Sequence, residues 1–216
     1  MNTRDRTFPL LPGYTVVEQL SQGARTEVYR ALQRDQQSVV IKVLHPEPAD
    51  IKELVQFRHQ YALARCLQHP HIVHPLALER HGASYVLVMP DEGLVALNTY
   101  RAQHPWGVAE VLNIALQLTD ALHYLIQQRV IHKDIKPSNI LIHPESGQVQ
   151  LIDFSIASLL PRERQQLASP TVLEGTLAYL SPEQTGRMNR GIDYRTDFYA
   201  LGATLFELLT GEPPFD

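Results

Sequence analysis

The sequence predicts an α+β chain, with a small sheet-forming first half carrying one helix and a mainly helical second half. Two observations predict this. Five short runs rich in Val, Ile, Leu and Tyr crowd the residues before 90, and β-branched and aromatic side chains suit a pleated, half-buried surface. After residue 107 the apolar residues instead recur every three or four positions, as in a helix with one buried stripe.

The elements follow in order. Residues 1–13 form a leader closing on Leu10-Leu11-Pro12-Gly13. Strands are predicted over 14–20, 27–33 and 38–44, the last two separated by the turn Arg34-Asp35-Gln36-Gln37. His45-Pro46-Glu47-Pro48 breaks the third strand, because proline removes a backbone donor. Ile51, Leu54, Val55, Arg58, Tyr61 and Ala64 recur at helical spacing, and His69-Pro70 ends that helix. Residues 72–78 and 84–89 read as two more strands, which completes a first lobe over 14–92 with a hinge near 89–93. In a second lobe over 93–216, Val108, Val111, Leu112, Ala115, Leu118, Leu122 and Leu125 make a long amphipathic helix. Apolar pieces at 130–131, 140–142 and 149–152 surround a polar run at 132–139. A helix from about 194 to 210 carries Phe198, Tyr199, Leu201, Leu205, Phe206, Leu208 and Leu209, apolar on most faces, so its burial is predicted.

Composition narrows the function. Hydrophobic residues are 44% and charged residues 19% of 216, ordinary for a globular protein. A net charge of −4 gives no global basic field for nucleic acid or anionic lipid. No apolar run approaches the roughly 20 residues of a bilayer span, and residues 1–7 are polar, without an apolar signal core. The single cysteine, Cys66, excludes an internal disulfide and fits a reducing, cytoplasmic compartment. It sits in a helical apolar pattern and is expected to be buried. His69, His71 and His74 flank a turn with no further ligand pattern around them; they read as turn and surface residues rather than a zinc site.

Chemistry concentrates in His132-Lys133-Asp134-Ile135-Lys136-Pro137-Ser138-Asn139, with Asp153-Phe154-Ser155 beginning nineteen positions after Asp134. Phosphoryl transfer from a metal–nucleotide needs this set: a carboxylate for the proton of the attacking hydroxyl, a cation for the moving phosphoryl group, and an amide and a second carboxylate for divalent metal. The order resembles the catalytic and metal-binding loops of Ser/Thr protein kinases. The resemblance runs from about Tyr14 to the end and implies the two-lobe fold of that family. It implies ATP and Mg2+ as cofactors, Asp134 as base, Lys136 at the γ-phosphate, and Asn139 and Asp153 as metal ligands. It gives His132 a buttressing role. By the same analogy, Lys136-Pro137 favours Ser/Thr over Tyr acceptors.

The phosphate side carries the weaker signals. Leu20-Ser21-Gln22-Gly23-Ala24-Arg25-Thr26-Glu27-Val28 resembles a glycine-rich loop in which only the middle glycine, Gly23, is kept. Lys42 in Val39-Val40-Ile41-Lys42 is the implied ligand of the α and β phosphates. Val28, Val40 and Leu141 would enclose the adenine, Met89 falls at the gatekeeper position, and the backbone of 90–92, ending at Glu92, would read the adenine edge. The helix partner of Lys42 is a glutamate in most kinases and Gln60 here; Glu53, two turns earlier, is the lesser candidate. A neutral amide forfeits roughly half the strength of a charge-assisted bond, which bears on rate rather than fold. Lys133 stands where many regulated kinases have arginine, and Ser155 replaces a glycine.

Residues 153–183 have the length of an activation segment and include Arg162, Arg164, Ser169 and Thr171. Gly175-Thr176-Leu177-Ala178-Tyr179-Leu180-Ser181-Pro182-Glu183 resembles the substrate-docking loop, with Thr176 placed to bond Asp134 and Lys136 and Asp197 to cap the catalytic loop. Residues 173–202 are similar to the N-terminal kinase domains of large bacterial, cyanobacterial-type signalling proteins with ATPase, sensor and histidine kinase modules. The implied partners are a protein Ser/Thr substrate and further domains of a longer chain. The helical lobe reads as C-terminally truncated, because the arginine that pairs with the Glu183 position in the family is absent. Two other readings stay open: a catalytically weak or inactive nucleotide-binding scaffold, favoured by Gln60, and a small-molecule phosphotransferase, disfavoured by the docking element.

Overall fold

The computed structural model describes residues 11–23, 25–44, 51–82, 84–104, 106–160, 177–185 and 191–215. These form two compact units: the chain up to Tyr61 with His74–Glu92, and Ala62–Val73 with the chain from Gly93.

The first unit is an antiparallel sheet of five strands, β1 (Tyr14–Gln22), β2 (Thr26–Gln33), β3 (Ser38–Leu44), β4 (Ala77–His81) and β5 (Ser84–Pro90), in the order β1-β2-β3-β5-β4. Strand β3 shows the period-two logic. Val39, Ile41 and Val43 are buried with Tyr29, Ala31, Val86 and Val88, while Val40 and Lys42 face the other way. Directly paired residues share a face. Val28 pairs with Lys42, and Lys42 with Leu87; Val40 pairs with Met89. These residues therefore stand on one face. Part of that face is covered by α1 (Ile51–Ala64), whose Phe57 packs with Leu44, Leu87 and Met89. Two irregularities in β1, at Val16/Glu18 and Gln19/Ser21, add twist. The sheet coils enough that Tyr14 on one edge strand donates to Glu79 Oε1 on the other at 2.9 Å.

The second unit is built around α3 (Val108–Gln127) and α4 (Arg195–Thr210), with the short helix α2 (Leu97–Gln103). Two small sheets frame the polar run of residues 132–139: β6 (Val95–Ala96), β8 (Ile140–Ile142) and β9 (Val149–Leu151) in one, β7 (Val130–Ile131) and β10 (Ser158–Leu159) in the other. Ile114, Leu118, Leu122, Ile140, Leu151 and Phe154 belong to one buried cluster. Helix α4 ends on Gly211 at φ +100, a left-handed cap that glycine adopts without cost. Arg101 of α2 seals the same end, donating from Nε and Nη2 to the Leu208 carbonyl at 3.2 and 3.1 Å.

Three readings need correction. The strand expected over 72–78 begins only at Ala77. Pro75 has no N–H for a ladder, and Ile72 instead bridges Leu151 in parallel. Cys66 is exposed, because α1 stops at Ala64 and the helical pattern does not extend to it; its Sγ lies 3.3 Å from the Ala62 carbonyl. Helix α4 buries one stripe, including Ala200, Leu201, Thr204 and Leu208, but leaves Phe198 and Phe206 46% exposed and Leu209 55% exposed. Its buried stripe faces α3 and the turn Leu177–Tyr179, and these rings project off it. In addition, Glu183, for which the family's arginine is absent, accepts from Thr196 Oγ1 at 2.8 Å.

Candidate functional site

A polar cluster lies in the second unit, on the loop between β7 and β8. Asp134 Oδ2 accepts from Asn139 Nδ2 at 2.7 Å and meets Lys136 Nζ at 2.9 Å. Asn139 Nδ2 also donates to the Asp134 carbonyl at 2.9 Å. A 3₁₀ turn, Pro137–Asn139, folds Asn139 back onto Asp134, with proline at its first position where a missing N–H costs nothing. Ile152 N–H then donates to the Asn139 carbonyl at 3.0 Å, which ties the segment carrying Asp153 to the same loop.

His132, fully buried, fastens both segments. Its Nε2 lies 3.0 Å from the Ile152 carbonyl, its Nδ1 lies 3.3 Å from Asp134 N–H, and its ring meets Phe154 edge-on at 4.6 Å. Nε2 therefore carries the proton, since it faces an acceptor and Nδ1 faces a donor. Asp197, at the start of α4, receives His132 N–H on Oδ2 and Lys133 N–H on Oδ1, each at 2.8 Å. Burial pushes its carboxyl above the ordinary range; His132 and the two N–H bonds pull it back.

Of the four described non-glycine residues with positive φ, two fall here and two, Gln36 and Arg129, in turns elsewhere. Lys133 has φ +70 and Asp153 φ +65, conformations that cost a residue with a Cβ about 1–3 kcal/mol and cluster at functional sites. Asp134 Oδ1 and Asp153 Oδ1 are buried and accept no hydrogen bond from the described residues, although Asp153 makes other contacts. The Asn139 amide nitrogen is spent on Asp134, so its oxygen is the atom left to face a cation. Among the described residues no group of three or more His, Cys, Asp and Glu could hold a metal ion. A hard divalent ion fits this donor set when phosphate oxygens and water complete its shell, as magnesium prefers.

In the first unit, Lys42 Nζ donates to Gln60 Oε1 at 3.2 Å, and Gln60 is 5% exposed. Glu53 pairs with Arg25 instead, at 2.9 Å, so Gln60 is the helix partner of Lys42. Val28, Val40, Lys42 and Met89 share a sheet face. Leu20, Ser21 and Gly23 belong to the β1–β2 hairpin, where Gly23 N–H donates to the Thr26 carbonyl at 2.7 Å. A Cβ at Gly23 would lie 3.2 Å from both Thr26 oxygens, so this glycine is kept for close approach. Glu92 is exposed at the end of the first unit; Leu141 lies half-buried on β8 in the second. Thr176 lies outside the described residues, as do Arg162, Arg164, Ser169 and Thr171.

One buried link escaped the sequence reading. Gln184 takes Ser181 N–H and Ser181 Oγ–H on Oε1, both at 3.0 Å, and donates from Nε2 to the Lys133 carbonyl at 2.8 Å. Its signal was present: Ser181-Pro182-Glu183-Gln184 is the Ser-x-x-Gln capping-box pattern with proline at the first helical position.

The protein kinase domain matches residues 14–216. Over 212 residues the chain is 36% identical to the serine/threonine-protein kinase PknF of Mycobacterium tuberculosis, covering 94% of this chain and 44% of that protein. It is 36% identical to the serine/threonine-protein kinase PrkC of Bacillus subtilis over 211 residues, 94% and 31% of the two. To the serine/threonine-protein kinase PknB of Mycolicibacterium smegmatis it is 33% identical over 215 residues, 94% and 33%. The chain thus spans less than half the length of each. No helix among the described residues is long and apolar enough to cross a membrane.

Proposed function

Because the chain belongs to the protein kinase domain family, we propose that it transfers the γ-phosphate of ATP to a serine or threonine hydroxyl of a protein substrate. One observation carries the reading: Asp134 has one oxygen held by a cation and an amide while the other is buried and takes no bond from the described residues. A base for a hydroxyl needs an oriented carboxylate with an oxygen to spare.

In the proposed step the acceptor oxygen forms a bond to Pγ, the bond from Pγ to the β–γ bridging oxygen breaks, and ADP leaves. The hydroxyl proton passes to Asp134. Lys136, 2.9 Å from Asp134, offsets charge on the moving phosphoryl group. Asn139 and Asp153 would hold Mg2+, which when bound neutralises phosphate charge and orients it. Lys42 takes the α and β phosphates, with Gln60 keeping its ammonium in place. Leu20, Ser21, Gly23, Val28, Val40, Met89, Glu92 and Leu141 are assigned to nucleotide binding and Thr176 to the acceptor side. In this reading residues 14–92 and 93–216 are the small and large lobes of a cytoplasmic signalling kinase, part of a longer multidomain chain like the large bacterial sensor proteins named above.

A neutral amide on Lys42 favours one competing reading, a nucleotide-binding module with little turnover. Labelled ATP and Mg2+ separate the two. Phosphate incorporation that Asp134→Asn abolishes supports the enzyme; thermal stabilisation by nucleotide without incorporation supports the binding module.

A further inference from the structure

Lys133 directly precedes Asp134 and holds φ +70, so the peptide beside the proposed base sits in a conformation that must be enforced from outside. Three contacts form a ring around it. Asp197 takes the Lys133 N–H at 2.8 Å, and Gln184 gives Nε2–H to the Lys133 carbonyl at 2.8 Å. Thr196, next to Asp197, donates to Glu183, next to Gln184, at 2.8 Å. Gln184 cannot flip its amide: Ser181 N–H demands an acceptor and the Lys133 carbonyl demands a donor. Gln184 is 9% exposed and Ser181 fully buried, so removing the amide takes a hydrogen bond from a half-buried carbonyl and from a buried N–H.

We propose that Gln184 is a positioning residue for Asp134. By holding the Lys133 carbonyl it fixes the peptide from which the base projects, and it makes that geometry depend on the fold of residues 177–185. Order in the segment read as substrate-docking is thereby transmitted to the proton acceptor. The proposal rests on the phosphoryl-transfer reading above, with Gln184 itself touching neither nucleotide nor acceptor.

The test compares the chain with Gln184→Glu, which keeps an acceptor for Ser181 but turns a carboxylate toward the Lys133 carbonyl, and Gln184→Met, which keeps the volume without hydrogen bonds. Should the glutamate variant fail to fold, the methionine variant carries the test. Two measurements are needed: kcat and KM for ATP, and amide hydrogen exchange over residues 132–136 without nucleotide. Expected is a fall in kcat on the order of ten- to a hundredfold, the scale of a small misplacement of a catalytic group. KM for ATP should hold within about twofold, and exchange at 132–136 should quicken. A loss that merely follows unfolding would move kcat, KM and exchange throughout the chain together, and would overturn the proposal. So would unchanged exchange, or faster exchange with unchanged kcat. If the unsubstituted chain transfers no phosphate, the enzymatic reading fails, while exchange at 132–136 still decides whether Gln184 holds the peptide.

Discussion

The lysine of the first unit and the carboxylate cluster of the second are wired differently. Lys42 meets a neutral amide at 3.2 Å. Asp134 meets an ammonium at 2.9 Å and an amide at 2.7 Å on one oxygen, and the loop beneath it is fastened by His132 and Asp197. Bonds with an ionised partner are shorter and roughly twice as strong as neutral ones. Lys42 carries the charge in its bond to Gln60 as Asp134 does in its bond to Asn139, so both are charge-assisted; at Asp134 the Lys136 ammonium joins as well, and the helix that carries Gln60 places its carboxylate, Glu53, on Arg25 of the hairpin. The second unit thus holds Asp134 by an ammonium, an amide and a fastened loop, and the first holds Lys42 against the amide of a helix residue.

Substitutions test that contrast from its strong side to its weak side. Asp134→Asn should cut phosphate transfer by about 10²- to 10⁴-fold, the usual worth of a general base, while nucleotide still raises the melting temperature. Equal loss of binding would show that Asp134 is structural. Asp197→Ala leaves two buried N–H groups unpaired and should cost about 2–4 kcal/mol in chemical denaturation. A loss below about 1 kcal/mol would mean that the loop stands without it. Gln60→Glu places a carboxylate where Lys42 now meets an amide, and about 1 kcal/mol of added hold would raise kcat/KM for ATP roughly fivefold. If kcat/KM falls instead, burying the carboxylate outweighs the pairing. Arg25→Ala should change stability by less than about 1 kcal/mol, since both partners are over a third exposed. In 0.5 M salt its difference from the parent chain should shrink, because screening weakens the pair that only the parent has.

Much of this was legible in the residues. Ser38–Leu44 alternates cleanly and emerged with its bounds; Ile51–Ala64 repeats at helical spacing and emerged as a helix, but it stops at Ala64 rather than at the expected breaker His69-Pro70. The spacing of Asp134, Lys136 and Asn139 forces them together, because a three-residue turn returns the amide to the carboxylate. The stretch 72–76 misled because Ile72 and Val73 are apolar for a different reason: both are buried, Ile72 in the second unit's core, and Pro75 forbids a ladder. Helix α4 misled because apolar side chains report a preference for burial, not the presence of a neighbour. Gln184 escaped because its donor serves Lys133, 51 positions away, and local pattern shows the Ser181 half of its bonding alone.

Returning to Tyr14 and Glu79, their meeting brings the two outer margins of the five-stranded sheet within reach of each other. Margins of that kind normally tempt stray polypeptides to add on and start fibrils. Here Glu79, Arg80 and His81 put ionisable groups along one margin, and kinks in β1 spoil the other as a template. The small sheet can thus carry the β1–β2 hairpin at one end without inviting self-assembly along its sides.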